Sequence, residues 1–471
     1  MTYINTLKSI VVYFNIFIIY YVFFINSVYF LQFIFASFSL YDYIKKMTYS
    51  GYKKYTNSEN MIPISILVPA YNEEETIVDN IKSLLALNYL NFEVVVVNDG
   101  SSDGTLKKII EAFDLKPVYQ PIRYLIKTKK INGIYRSLEI PKLIVVDKEN
   151  GGKADALNTG INISKYPIFA SIDADSLLER DSLVRIIMPF LEDKFTIAVG
   201  GIVRIANSSI VDDGKIRDIR LPKNPLAMFQ IIEYLRGFLT GRVGWDSIKS
   251  LLIISGAFGA FKKDAVIAVG GYATDTIGED MELVVKLHRY MRKNKKKYKI
   301  KFIADPVCWT QAPERISELR KQRRRWQVGL MDSLFRHKSL FLNPKYKTVG
   351  MLAIPYFWIF EMLGPLVEFI GYILIPVSYF SEILNVQYFI LFLMVSILYG
   401  IILSIGAILL EEYTFDKYPS IRQLLRLSFY GIIENFGYRQ MTTFFKLEGI
   451  IRFKTLKHSW GKFKRNNFDV S

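Results

Sequence analysis

The sequence predicts an open α/β sheet domain held between transmembrane helices, and three observations predict it. Short apolar, β-branched runs alternate with helical periodicity from Ile62 to about Asp305; no charged residue occurs from Ser9 to Tyr41; and a second apolar region follows Trp326. The chain of 471 residues is 51% hydrophobic with a mean hydropathy of +0.19, too apolar for an ordinary soluble enzyme, so a membrane part is expected.

The first element, residues 9–41, exceeds the ~20 residues needed to cross a bilayer core. It also exceeds the h-region of a signal peptide, about 7–15 residues, and is read as a retained anchor. A domain over 60–335 follows. Ile64 to Val68 and Phe92 to Val97 have the character of buried parallel strands, and Ile77, Ile81, Leu84 and Leu85 recur between them at helical spacing after Glu73, Glu74 and Glu75. Leu143 to Val146, Ile168 to Ile172, Ile197 to Val199 and Leu252 to Ile254 supply further strands, with helices such as Asp181 to Leu191 between them. Sheets of this kind bind ligands at the carboxyl ends of their strands.

Residues 347–412 should hold two spans: Ile383 to Leu410 is uncharged, and Met351 to Phe380 is interrupted only by Glu361 and Glu368. An acidic residue at membrane depth is a functional candidate, though Glu361 could equally sit at the interface. The last part, 420–471, mixes apolar and charged residues from Ile421 to Phe453, which suits an amphipathic surface helix followed by a basic tail.

The net charge of +17 would fit a nucleic-acid partner if the basic residues formed one stripe. They lie instead beside apolar segments: Lys45, Lys46, Lys53 and Lys54, then Lys454, Lys457, Lys462, Lys464 and Arg465. That placement suits anionic lipid headgroups and puts the middle domain on the cytoplasmic side of the plasma (inner) membrane, with no nucleic acid as partner. Cys308 is the only cysteine, so an intrachain disulfide is impossible. The scattered His288, His337 and His458 argue against a zinc site or a serine triad. Catalysis is therefore expected to rest on carboxylates.

Asp173 and Asp175 end the apolar run PIFASI on one side of a strand, where they can reach a diphosphate through a hard divalent cation. Asp99 ends the run VVVV and can accept from a uracil imide or a ribose hydroxyl, while Ser101, Ser102 or Asp103 would cap the next helix. Asp280 opens an apolar-periodic helix and is the candidate general base, although a first-turn carboxylate also favours the helix dipole. Arg323, Arg324 and Arg325 could pair with diphosphate oxygens, and Trp326 could stack on a sugar ring. Lys153 follows two glycines without P-loop spacing.

The ordered set VPAYNEEE, VNDGSSDGT, SIDADS, GED and QRRRW resembles the family 2 glycosyltransferases of the GT-A fold, and within them the membrane-embedded processive synthases of cellulose, hyaluronan and poly-N-acetylglucosamine. The resemblance implies a uridine site at Ala70, Tyr71, Glu73 and Asp99, with Lys153 and Asp173 as further nucleotide contacts. It implies Asp175 as ligand to Mg or Mn and Asp280 as base. Gln322 and Arg325 fall at the diphosphate, Trp326 at the acceptor, and SGAFGAF from Ser255 beside the acceptor end. Gly278 stands where the family has Thr. The expected activity is inverting transfer from a UDP-sugar, UDP-N-acetylglucosamine or UDP-glucose, onto a growing glycan. Single-sugar transfer to a lipid, or a non-catalytic nucleotide-sugar scaffold, are the alternatives; the sequence leaves accessory subunits open.

Overall fold

The computed structural model describes residues 2–50, 61–212, 215–418 and 420–456. Lys53, Lys54, Lys457, His458, Lys462, Lys464 and Arg465 lie outside them.

The strands in chain order are β1 (Ile64–Ala70), β2 (Phe92–Asp99), β3 (Lys116–Pro117), β4 (Ile131–Arg136), β5 (Leu143–Lys148), β6 (Ile168–Ile172), β7 (Leu177–Leu178), β8 (Thr196–Ile205), β9 (Ile210–Asp212), β10 (Lys215–Asp218), β11 (Phe258–Lys262) and β12 (Lys299–Thr310). All but β9 and β10 form one mixed sheet in the order β3-β4-β5-β2-β1-β6-β11-β8-β12-β7. Parallel pairing of β5, β2, β1 and β6 brings Lys148, Asp99, Ala70 and Ile172 to a common edge. β11 runs antiparallel to β6 with Phe258 opposite Ile172, so the loop before β11 reaches the same edge.

Val94 to Val97 are buried, as are Ile66, Leu67 and Val68; both faces of these strands are covered, which is why they read as continuous apolar runs. The helix Lys153–Ile163 lies against them. Its Gly160 permits the close approach, since a Cβ there would stand 3.1 Å from a Leu67 methyl.

Three readings of the sequence need correction. Leu252 to Ile254 is not a strand: the paired segment is β11, Phe258–Lys262. Ile254 packs over that strand, where a Cβ on Gly259 would meet its side chain at 2.4 Å. The apolar run thus covers a glycine-containing strand of low intrinsic propensity. The helix after Asp99 spans Thr105–Ala112 with Gly104, not Ser101, Ser102 or Asp103, at the N-cap position, although Asp103 Oδ1 accepts from the first helical N–H, that of Thr105, at 3.0 Å. The two serines are used elsewhere: Asn72 N–H donates to Ser101 Oγ at 3.0 Å, and Ser102 Oγ–H donates to Asn72 Oδ1 at 3.3 Å. Finally, Ile421 to Phe453 is not one helix. Ile421–Ile433 and Tyr438–Ile451 are separated by a turn at Gly437, whose φ of 110° favours glycine.

Among the described residues, three helical segments are long and apolar enough to cross a membrane: Lys8–Lys46, Val349–Phe380 and Val386–Phe415. The first two are tied by polar contacts, Tyr21 O–H to Ile359 O at 3.0 Å and Asn15 Nδ2 to Ser378 Oγ at 2.9 Å, the type of cross-link that holds helices in lipid. Arg204 of β8 pairs with Glu411 of the last helix at 2.5 Å, both buried, joining the sheet to the membrane part. Lys46, read as a lipid contact, pairs with Glu192 at 2.6 Å.

Candidate active site

The strand edge carries a dense carboxylate cluster. Asp173 follows β6 and receives the Lys153 ammonium at 2.5 Å; the same Nζ lies 3.7 Å from Glu279. Lys153 begins its helix after Gly152, which adopts φ +85°. Burial pulls Lys153 down, but Asp173, Glu279 and Asp280 together push it above the ordinary lysine value. It stays charged.

The carboxylates move the other way. Burial, then repulsion from Asp173, pushes Asp175 up to about 6, with Lys153 and Arg325 opposing. Burial pushes Glu279 up to about 7, against Lys153 and with help from Asp280. Both shifts are what crowded, desolvated anions show. Added positive charge would relieve them, so the donor set fits a hard divalent cation. Among the described residues no group of three or more metal-ligating side chains converges, so such a cation would take further oxygens from the ligand.

Asp280 is the second residue of the helix Glu279–Lys293. Its Oδ2 accepts from Gly256 N–H at 3.2 Å and its Oδ1 from Met281 N–H at 2.8 Å. Gly256 belongs to the SGAFGAF segment, and a Cβ there would stand 2.8 Å from Lys153 Nζ. That glycine lets the segment close on the carboxylate cluster.

The departure at Gly278 has a steric cause. A Cβ at Gly278 would lie 2.6 Å from Gly329 Cα, and one at Gly329 would lie 2.9 Å from Gly278 Cα. The helix Ile316–Arg336, which contains QRRRW, crosses there by backbone contact. Gly278→Thr should therefore destabilise the fold by about 1–3 kcal/mol through overpacking and lower turnover by displacing Asp280. A thermal melt unchanged from wild type would show that the crossing relaxes freely.

Consecutive helix residues point about 100° apart, so QRRRW divides its functions. Arg323 is buried, pairs with Glu233 at 2.7 Å and lies 4.3 Å beneath the Trp326 ring. Arg324 pairs with Glu448 at 2.7 Å, and Arg320 with the same carboxylate at 2.6 Å, docking Tyr438–Ile451. Arg325, Gln322 and Trp326 line the cavity that holds Asp173, Asp175, Glu279 and Asp280. Gln322 Oε1 is buried with no hydrogen-bond partner among the described residues.

The residues expected at the nucleotide from the first two strands stand at the same edge. Tyr71 is exposed, whereas Glu73 is buried and takes Thr105 Oγ1 on its N–H at 2.9 Å. Ala70 is buried in β1. Asp99 is committed to the protein: Oδ1 accepts from Lys148 Nζ at 2.5 Å and Gly151 N–H at 3.0 Å, and Oδ2 accepts from Gly152 N–H at 2.7 Å. It fixes the loop that launches Lys153. Glu279 and Arg242 also line the cavity, and Lys148 is buried between Asp99 and Asp155; a lysine at a strand end and an arginine in an apolar segment carry no sequence signal of burial.

The cavity is about 1350 Å³ and continues from the carboxylates past Trp326 to Tyr21, Tyr29, Glu361, Glu368 and Ser396 of the apolar helices.

The model of Glycosyl transferase family 2 matches residues 65–269, and that of Glycosyl transferase family group 2 matches residues 168–403. Poly-beta-1,6-N-acetyl-D-glucosamine synthase of Staphylococcus aureus (strain COL) is 32% identical over 332 residues, 69% of this chain and 70% of that protein. The synthase of the same name from Staphylococcus epidermidis is 33% identical over 273 residues, 58% of this chain and 56% of that protein. A solved structure, the mannosyltransferase PcManGT from Pyrobaculum calidifontis in complex with GDP-Man and Mn2+, covers 91% of this chain and 98% of its own at 17% identity and a TM-score of 0.48. With its GT-A sheet, its carboxylate-lined edge and its three membrane-length helices, the chain belongs to glycosyl transferase family 2 and is a glycosyltransferase.

Proposed function

We propose that this protein extends a poly-N-acetylglucosamine chain from UDP-N-acetylglucosamine by an inverting, metal-dependent transfer, with the catalytic domain on the cytoplasmic side of the membrane. The observation that carries the reading is the single cavity joining Asp173, Asp175 and Asp280 to the apolar helices. The polymer and the sugar follow the names of the staphylococcal synthases it resembles.

Asp280 takes the proton from the acceptor hydroxyl, and that oxygen attacks the anomeric carbon as the bond to the UDP oxygen breaks on the opposite face. Arg325 meets the negative charge that develops on the departing diphosphate. A divalent cation held by Asp175, with Asp173 alongside, would supply further positive charge there. Lys153 holds Asp173 and Glu279 in place. Trp326, 43% exposed and backed by Arg323, offers an open aromatic face to the acceptor ring.

The test is to incubate the full-length protein in detergent with Mg²⁺ or Mn²⁺ and a panel of UDP-sugars, reading UDP release and product size. The expected result is UDP release from UDP-N-acetylglucosamine with a ladder of long products, abolished by EDTA. A single lipid-linked product would replace polymerisation by single-sugar transfer. Silence with every donor would contradict the UDP-sugar assignment.

A further inference from the structure

The segment Pro225–Ser247 carries none of the motifs, yet it forms one wall of the cavity. Its middle, Leu235–Arg242, is a π-helical stretch, a wide turn that commonly marks a functional position. Phe238, Tyr234 and Trp326 form a row along this wall, with ring centroids 5.3 Å apart from Phe238 to Tyr234 and 6.4 Å from Tyr234 to Trp326. Arg242 extends the row beyond Phe238, its guanidinium 3.7 Å above that ring. That stacking fixes the plane of the guanidinium.

Arg242 has an unmet capacity to donate. Its Nη1 is buried with no hydrogen-bond partner among the described residues. Burial pulls the guanidinium down to about 10, and Asp280 is the leading charge that opposes this. The two groups line the same cavity without closing an ion pair among the described residues. A guanidinium that shares the cavity with the general base and feels its charge, without pairing with it, leaves room for a group that both can touch.

On the reading of Asp280 as base, we infer that Arg242 is a binding and orienting residue for the acceptor: its Nη1 donates to an oxygen of the terminal sugar beside the hydroxyl that Asp280 deprotonates. Arginine is donor-only, so it matches a hydroxyl lone pair or an acetamido carbonyl and cannot compete for the proton being removed. The row from Phe238 to Trp326 then supports the apolar face of the same glycan.

The experiment compares wild type, Arg242→Met and Arg242→Lys as full-length protein. The substrates are UDP-N-acetylglucosamine and a short β-1,6-linked N-acetylglucosamine oligomer, with UDP affinity titrated separately as the control for an intact donor site. Arg242→Met should raise the acceptor KM about ten-fold or more with UDP affinity unchanged. Arg242→Lys, which keeps the charge near Asp280 but loses the planar fork, should keep kcat closer to wild type while leaving the acceptor KM raised. An acceptor KM in Arg242→Met equal to wild type overturns the inference, as does loss of UDP affinity in both variants. Absence of acceptor-dependent turnover in the wild type overturns the parent reading, and this one with it.

Discussion

Asp280→Asn should lower transfer by about 10²–10⁴-fold, the contribution of a positioned general base, while UDP-sugar affinity stays within about two-fold of wild type. The substitution preserves shape and leaves an oxygen to accept from Gly256 or Met281. Its structural effects are the loss of a first-turn helix charge, worth about 0.3–1 kcal/mol, and of an acceptor for one of these two N–H groups, worth about 1–3 kcal/mol. Both are read in a thermal melt, separately from turnover. A loss of turnover with UDP-sugar affinity held assigns the effect to the chemical step. Near-normal turnover in the variant would remove Asp280 from the chemistry and return it to the helix dipole.

The largest expected effect on stability lies at Lys148→Met. Lys148 is fully buried, and its ammonium meets Asp99 at 2.5 Å, Asp155 at 2.8 Å and the Glu149 carbonyl at 2.5 Å. Removing the cation leaves two buried carboxylates facing each other, a change that costs about 3–5 kcal/mol. Set against a typical total of about 5–15 kcal/mol, this is about a fifth of the stability or more. Replacing Asp155 by Asn in the same chain should restore part of the loss, because one of the stranded charges is then gone. Denaturation of the three proteins under one detergent condition measures both quantities. A loss below about 1 kcal/mol for Lys148→Met would mean that the carboxylates find other partners.

The parts legible in the sequence were those where one physical demand dominates. β1, β2, β5 and β6 are buried on both faces, and their apolar runs say so directly. Asp173, Asp175 and Asp280 were legible because each follows or opens such a run. β11 was not: Phe258–Lys262 contains Gly259 and Ala260, and its strand character comes from neighbours on both sides rather than from propensity. β12 was hidden by Asp305 and Pro306, where its pairing with β8 shifts register between Ile303 and Pro306. The reason for glycine at 278 lies in Gly329, on another helix, and Lys148 is defined by two carboxylates that meet it only in the fold. Such pairings exist only in three dimensions.

The most direct test of the central claim is the anomeric configuration of the product. UDP-N-acetylglucosamine carries an α-linked sugar, and one in-line displacement assisted by a single base must invert it. Proton NMR of the glycan made by the full-length protein from this donor should show β linkages alone. An α-linked product would contradict the single displacement, and with it the role assigned to Asp280.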